Sequence, residues 1–265
     1  MRSRSLVAFN TATNAENKIH DDDVAQRFGF SGGLVPGVDV HAYLAWGPAS
    51  AWGRAWLERG TMSAQFAQPA YDGETVTVEA EDSGDGRIDL GLRNPAGMVV
   101  AQGSAALPAR PAGRPDPARY PRAPLPGERR PPAPEALAPG TVLGSWDVVW
   151  RAEDGERYLV DVREALPLYA EEGVAHPGWV LRQANRALEA NVLLGPWIHV
   201  GSEVAHHGLV RDGAEVSCRA IVTAEYERKG HSFVELDALV TADGEPVARI
   251  DHTSIYLPRQ VKESA

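Results

Sequence analysis

The chain has 265 residues, 43% of them hydrophobic, and a formal net charge of −10. That acidity excludes a nucleic-acid binder, which needs a basic face to displace counterions from phosphates. A single cysteine, Cys218, excludes an internal disulfide and fits a reducing compartment. The length allows one large domain or two small ones. No segment has the apolar length of a membrane span, and Met1-Arg2-Ser3-Arg4 lacks the apolar run of a signal peptide. A cytoplasmic protein with no membrane contact is expected.

The first informative segment is Glu16-Asn17-Lys18-Ile19-His20, a polar loop, followed by Asp21-Asp22-Asp23 and a short helix from Asp22 to Phe28. Three carboxylates at a helix start are explained by capping and by the helix dipole, so no metal is expected there. The chain then turns through Gly29-Phe30-Ser31-Gly32-Gly33 into Leu34-Val35-Pro36-Gly37. Although Gly29 to Gly33 reads G-x-S-x-G, a helix precedes it where a nucleophile elbow requires a strand, so Ser31 is read as a turn residue. Gly32 and Gly33 are read the same way. An apolar helix is expected from Val38 to Leu57, with Val38, Ala42, Ala45, Ala49 and Trp52 along one side. Strands follow, with turns at Asp72-Gly73 and at Asn94-Pro95-Ala96-Gly97.

Eleven of the 20 prolines lie between Pro108 and Pro139, interleaved with six arginines. Proline fixes φ and lacks a ladder donor, so residues 109–140 are read as an extended, solvated linker over the surface.

Beyond the linker the pattern returns. Gly173-Val174-Ala175-His176-Pro177-Gly178 echoes Gly33 to Gly37, an apolar helix from Trp179 to Leu194 echoes the first, and turns recur at Asp212-Gly213 and Ala242-Asp243-Gly244. The chain therefore divides into a first unit, 1–108, the linker, 109–140, and a second unit, 141–265. His206 and His207 are adjacent on a strand and face opposite sides, so they are not a chelating pair.

Asn17-x-Ile19-His20, a short helix and then Leu34-Val35-Pro36-Gly37 resemble the MaoC-like, or hydratase-2, branch of the hotdog fold. That family typically reads Asp-x-Asn-Pro-(Leu/Ile)-His, then a helix, then (Ile/Val)-Val-His-Gly. This chain departs from it at three places: Lys18 replaces the Pro, Ala15 stands where the catalytic Asp is expected, and Pro36 replaces the His before the glycine. The resemblance, joined to the repeat, implies an α+β double hotdog, with two antiparallel sheets each wrapped around a long central helix. An exposed sheet edge makes a homodimer plausible.

By the same resemblance the substrate is an acyl thioester, on coenzyme A or an acyl carrier, with no metal or redox cofactor. The reaction is hydration of a 2-enoyl thioester or dehydration of the (R)-3-hydroxy form. His20 is then the base and Asn17 orients it or the water. Gly37 offers its N–H to the thioester oxygen, with Val35, Trp46 and Trp179 bordering the acyl group. Glu16 and Asn14 flank Ala15, and Glu16 is the candidate substitute for the missing carboxylate. The second unit lacks the Asn-x-x-His loop and shapes the pocket; Asn185, Asn191 and His199 are candidates to line it, with core or surface roles as the plainer reading. Loss of the Asp leaves a second class of function open: a hotdog that binds a ligand, or an isomerase, cyclase or thioesterase.

Overall fold

In the computed structural model, which describes residues 1–13 and 15–262, the first half runs β1 (Arg2–Val7), α1 (Asp22–Arg27), α2 (Gly37–Trp52), α3 (Arg54–Arg59), β2 (Thr61–Phe66), β3 (Thr75–Gly84), β4 (Arg87–Arg93) and β5 (Val99–Ala106). The second half runs β6 (Trp146–Val149), α4 (Ala152–Asp161), α5 (Leu168–Glu172), α6 (Pro177–Asn191), β7 (Ile198–His206), β8 (Glu215–Arg228), β9 (His231–Ala242) and β10 (Glu245–Leu257), with α7 (Arg259–Lys262) last. Asn14 lies outside the described residues, as do 263–265.

The strands form one continuous ten-stranded antiparallel sheet, in the order β1-β3-β4-β5-β2-β7-β10-β9-β8-β6. The expectation of two separate sheets is thereby corrected. Each half leaves an edge, at β2 and β7, and these edges pair directly, from Thr61 opposite Ala205 to Gln65 opposite Gly201. Pairing satisfies backbone groups that an open edge would expose. The order reads the same from either end under the exchange of β1 with β6, β3 with β8, β4 with β9, β5 with β10 and β2 with β7, so the repeat is a pseudo-twofold about the β2–β7 seam.

The turns behave as their sequences require. Gly73, Gly97, Gly213 and Gly244 all have positive φ, the conformation glycine adopts without a Cβ penalty. The first apolar helix ends earlier than its periodicity suggests. Gly53 at φ 53° breaks it, and the remaining turns form the separate α3. Nor does α2 keep a single apolar stripe: Val38 through Ala45 are all buried, because sheet, α6 and loop enclose it on every side. Small residues permit that enclosure. A Cβ on Gly47 would lie 2.8 Å from Leu90 Cδ2 and 3.0 Å from Ala80 Cβ.

Two apolar cores result, one under each half of the sheet, and Trp179 packs against both. The proline-rich stretch is not a free spacer. Tyr120 is buried and donates its hydroxyl to Asp237 on β9 at 2.9 Å, Arg122 pairs with Asp147, and Leu137 is fully enclosed. A proline-rich chain can lie flat on a sheet face because it spends no donors on a ladder of its own. Among the described residues no helix is long and apolar enough to cross a membrane.

Candidate functional site

A cavity of about 380 Å³ opens between the loop before α1, the start of α2, the segment after β2, one face of α6 and the start of β7. His20, Asn17, Val35 and Gly37 line it, and so does Ala15. The wall from the second half comes from Arg182, Asn185, Arg186 and Glu189, spaced to fall on one side of α6, and from Trp197 to Val200.

The loop carrying His20 is fixed by both halves. Asn17 caps the single turn Lys18–His20 through Ile19 N–H. Its side chain also bridges to the second half: Nδ2 donates to the Trp197 carbonyl at 2.9 Å, and Oδ1 accepts from Trp197 N at 3.2 Å. Asn10 donates to the His20 carbonyl at 2.8 Å. Asn17→Ala leaves a buried N–H and C=O of Trp197 without partners, so it should cost about 2–3 kcal/mol. Urea unfolding of the variant against wild type measures that loss, and an unchanged midpoint would show that the bridge carries no stability.

His20 has a defined tautomer. Its Nδ1 lies 2.6 Å from the Leu34 carbonyl oxygen, which can only accept, so Nδ1 carries the proton. Nε2 is then a lone pair, 3.3 Å from Asn17 Nδ2. Burial lowers the pKa of His20, while the Leu34 carbonyl and Asp39 act in the opposite direction. A neutral imidazole whose lone pair is held only by a long contact from the Asn17 amide, beside a cavity, can serve as a proton acceptor near neutral pH.

The two pseudo-equivalent helix starts differ. At α6, His176 Nδ1 accepts from Gly178 N at 3.0 Å, so that end is capped by its own side chain. At α2 the residue in the capping position is Pro36, which gives no side-chain cap. The first N–H groups of a helix have no carbonyl partner within it. At α2 the N–H of Asp39 bonds back to the Pro36 carbonyl at 2.9 Å, and the first two residues, Gly37 and Val38, line the cavity. A Cβ on Gly37 would sit 2.9 Å from both His199 Nδ1 and Phe66 Cε2, so close approach requires glycine here. Gly33 also serves a close approach rather than a turn, since a Cβ there would meet the His20 carbonyl oxygen at 2.1 Å.

Other expected site residues lie elsewhere. Glu16 is exposed and forms a two-pronged pair with Arg129, at 2.6 and 2.9 Å, outside the cavity lining. Arg129 holds its carboxyl below the usual range by hydrogen bonding. Trp46 is nine residues past Gly37, two and a half turns, and so faces the opposite side, under Arg4. Trp179 is drawn between the two cores, edge-on to Trp150. Neither tryptophan lines the cavity. Asn191 is spent on the backbone of Gly144, whereas Asn185 and His199 do line the cavity. Asp21 caps α1, the role the sequence suggests, whereas Asp22 accepts from Gly33 N and so ties the following loop back to the helix start.

One buried group had no signal in the sequence. Asp39, fully buried in the first turn of α2, takes the Arg182 guanidinium on Oδ1 and the Thr11 hydroxyl on Oδ2 at 2.6 Å. Arg182 also lies over the Tyr158 ring at 4.9 Å. Thr11 and Arg182 line the cavity, but both carboxylate oxygens of Asp39 are occupied. Among the described residues no three His, Cys, Asp or Glu side chains converge as a metal set.

No family model matches the sequence, and no curated protein matches it. Solved structures do match. Rv0216 of Mycobacterium tuberculosis, described as a double hotdog, superposes with a TM-score of 0.61 at 16% identity over 96% of each chain. A protein of Chloroflexus aurantiacus described as a MaoC domain dehydratase gives 0.62 at 13% identity, over 97% of this chain and 96% of that one. A protein of Lactobacillus plantarum described as an oleoyl thioesterase gives 0.50 at 14% identity, over 97% and 96%. These likenesses span nearly the whole chain at identities that speak for architecture alone: this chain has the double hotdog fold.

Proposed function

We propose that the protein acts on an acyl thioester, on coenzyme A or an acyl carrier, as a hydratase or dehydratase of the 2-enoyl/3-hydroxyacyl pair. The observation that carries this reading is the pairing, on one cavity, of the neutral His20 lone pair with the uncapped start of α2. Structures described as MaoC-like dehydratases share the fold.

In the hydration direction His20 Nε2 takes a proton from water as the water oxygen bonds C3. The C2=C3 electron pair moves toward the thioester carbonyl, and the developing oxyanion is held by the N–H of Gly37. His20 then returns the proton to C2, which restores the neutral imidazole. The Nδ1–H bond to the Leu34 carbonyl holds the ring in place throughout, while the Asn17 amide, which contacts Nε2 in the resting state, yields as Nε2 takes the proton. The test is loss of enoyl absorbance from short and medium trans-2-enoyl-CoA esters. Wild type should turn over and His20→Ala should not. Turnover by both proteins, or by neither across chain lengths, overturns the reading.

A second reading follows from Ala15. It lines the cavity where the hydratase pattern has its carboxylate, and Glu16 is committed to Arg129. On this reading the cavity binds a ligand or runs another hotdog reaction, such as isomerisation, cyclisation or thioester hydrolysis. An acyl-CoA that binds equally to wild type and His20→Ala, with no hydration by either, would favour it.

A further inference from the structure

The proline-rich stretch roofs another cavity, of about 570 Å³, on the outer face of the sheet in the second half. Strand alternation fixes that face. Val204 and Ile250 pair across β7 and β10 and belong to the core, so their neighbours Ala205 and Arg249, also paired, point away from it. His206 packs edge-on against Trp56 on the core side, and His207, next along, lines the outer cavity. The sheet therefore stands between this cavity and the one that holds His20.

The lining has donors to spare and few free acceptors. Arg114 and Arg119 come from the roof, Arg249 and His207 from the sheet. Both oxygens of Asp237 are taken, by the Tyr120 hydroxyl at 2.9 and 3.1 Å and by Nε and Nη2 of Arg249 at 2.9 and 3.2 Å. Asp116 caps the turn above through Ala118 N at 2.9 Å. Among the described residues nothing pairs with Arg249 Nη1 or with the Arg119 guanidinium. His207 is 9% exposed, and its ring nitrogens likewise have no hydrogen-bond partner. Unlike Nε2 of His206, they are not sealed from solvent, so what surface the ring keeps opens onto the cavity it lines. Burial lowers the His207 pKa, and the charges of Arg114 and Arg249 lower it further. The charges acting on the ring are thus positive, and an anion beside it would offset them.

We propose that this cavity binds a small oxyanion, a phosphate or carboxylate group held between Arg119, Arg249 and the His207 ring. Guanidinium groups match the oxygens of either head group, and charge-assisted bonds of this kind are the strong ones. The anion also turns the neutral imidazole into a further donor by favouring its proton. Bridging Arg119 to Arg249, it ties the proline-rich roof to the sheet. The site stands apart from the thioester reading and needs nothing from it.

The test follows the His207 ring by nuclear magnetic resonance in the whole protein while inorganic phosphate or acetate is added at constant ionic strength, with chloride as the balancing salt. A saturable shift of His207 with a Kd of about 1 mM is expected, and His207 should titrate at higher pH in the saturated protein. Tighter binding of phosphate assigns a phosphate head group, and tighter binding of acetate a carboxylate. Arg119→Ala, a change at an exposed side chain, should weaken binding by roughly tenfold without moving the melting temperature of the free protein. A His207 shift that never saturates with either anion reflects screening of the arginines and overturns the proposal. So does an affinity unchanged in Arg119→Ala, which would place the anion elsewhere.

Discussion

Lowering the pH from 7 to 5 should remove about 6 kcal/mol of folding stability, most of what a domain of this size has to lose. The cause is a set of histidines buried without charge. Burial, chiefly, pushes His41, His206 and His252 down to about 3. Unfolded, each titrates near 6.5. The folded values are depressed, so the unfolded chain binds more protons, and stability is fully present above about pH 6.5 and falls as the pH drops toward 3. At pH 5 an unfolded histidine is almost fully protonated and a folded one almost fully neutral, a difference of about 2 kcal/mol per residue. Any folded value well under 5 gives the same figure. Buried carboxylates act lower. Burial raises Asp161, Glu189 and Asp251, which favours the folded state when they protonate, but their window begins near pH 5 rather than 7.

His41 makes this testable. Neither of its ring nitrogens has a hydrogen-bond partner, so His41→Phe removes a proton site without removing a bond. The variant should hold its stability at pH 7 and lose about a third less than wild type by pH 5. Thermal melts at both pH values decide it: wild type should fall by about 12–24 °C, and a flat melting temperature would contradict the assignment of these rings as neutral and buried.

What the sequence made legible was local. Asp72-Gly73 and Asp212-Gly213 mark the same turn in each half because a two-residue reversal needs positive φ, and that demand is written in one or two side chains. The Asn17-x-x-His20 loop was legible because its spacing matches a known pattern, and the loop does bring both residues to the cavity. What could not be read is what lies across the chain. Asn17 is held by Trp197, 180 residues away, and Arg182 reaches Asp39 across 143. Sequence spacing carries no information about such partners without a template. The single sheet escaped for the same reason: the β2–β7 seam joins strands that no local turn connects. Glu16 was misplaced because a carboxylate near the right position says nothing about whether it faces inward, and Arg129, from the proline-rich stretch, draws it out. The helix α4 was passed over because its polar residues dominate a short segment of which only Tyr158 is buried.

The pair between Asp39 and Arg182 should carry the largest single-residue effect on stability, and an asymmetric one. The two residues sit on α2 and α6, the central helices of the two halves, and form the polar contact between them. Burial opposes the charge on Arg182, yet Asp39 beside it holds the pKa above the usual arginine value. The two partners are not equally enclosed. The Asp39 side chain is 0% exposed, whereas that of Arg182 is 22% exposed, at the cavity wall. Arg182→Met therefore strands a carboxylate in the interior with only Thr11 to bond it, and should cost about 3–5 kcal/mol. Asp39→Leu strands a guanidinium that can turn into the cavity and meet water, and should cost clearly less. The double variant, with neither charge, should be more stable than Arg182→Met alone, because the expense lies in the unpaired ion rather than in the missing pair. Urea unfolding of the four proteins completes the cycle. If the two single variants cost the same and the double variant costs their sum, the residues do not interact, and the halves are held together without this pair, by the sheet seam, apolar packing and bridges such as Asn17 to Trp197.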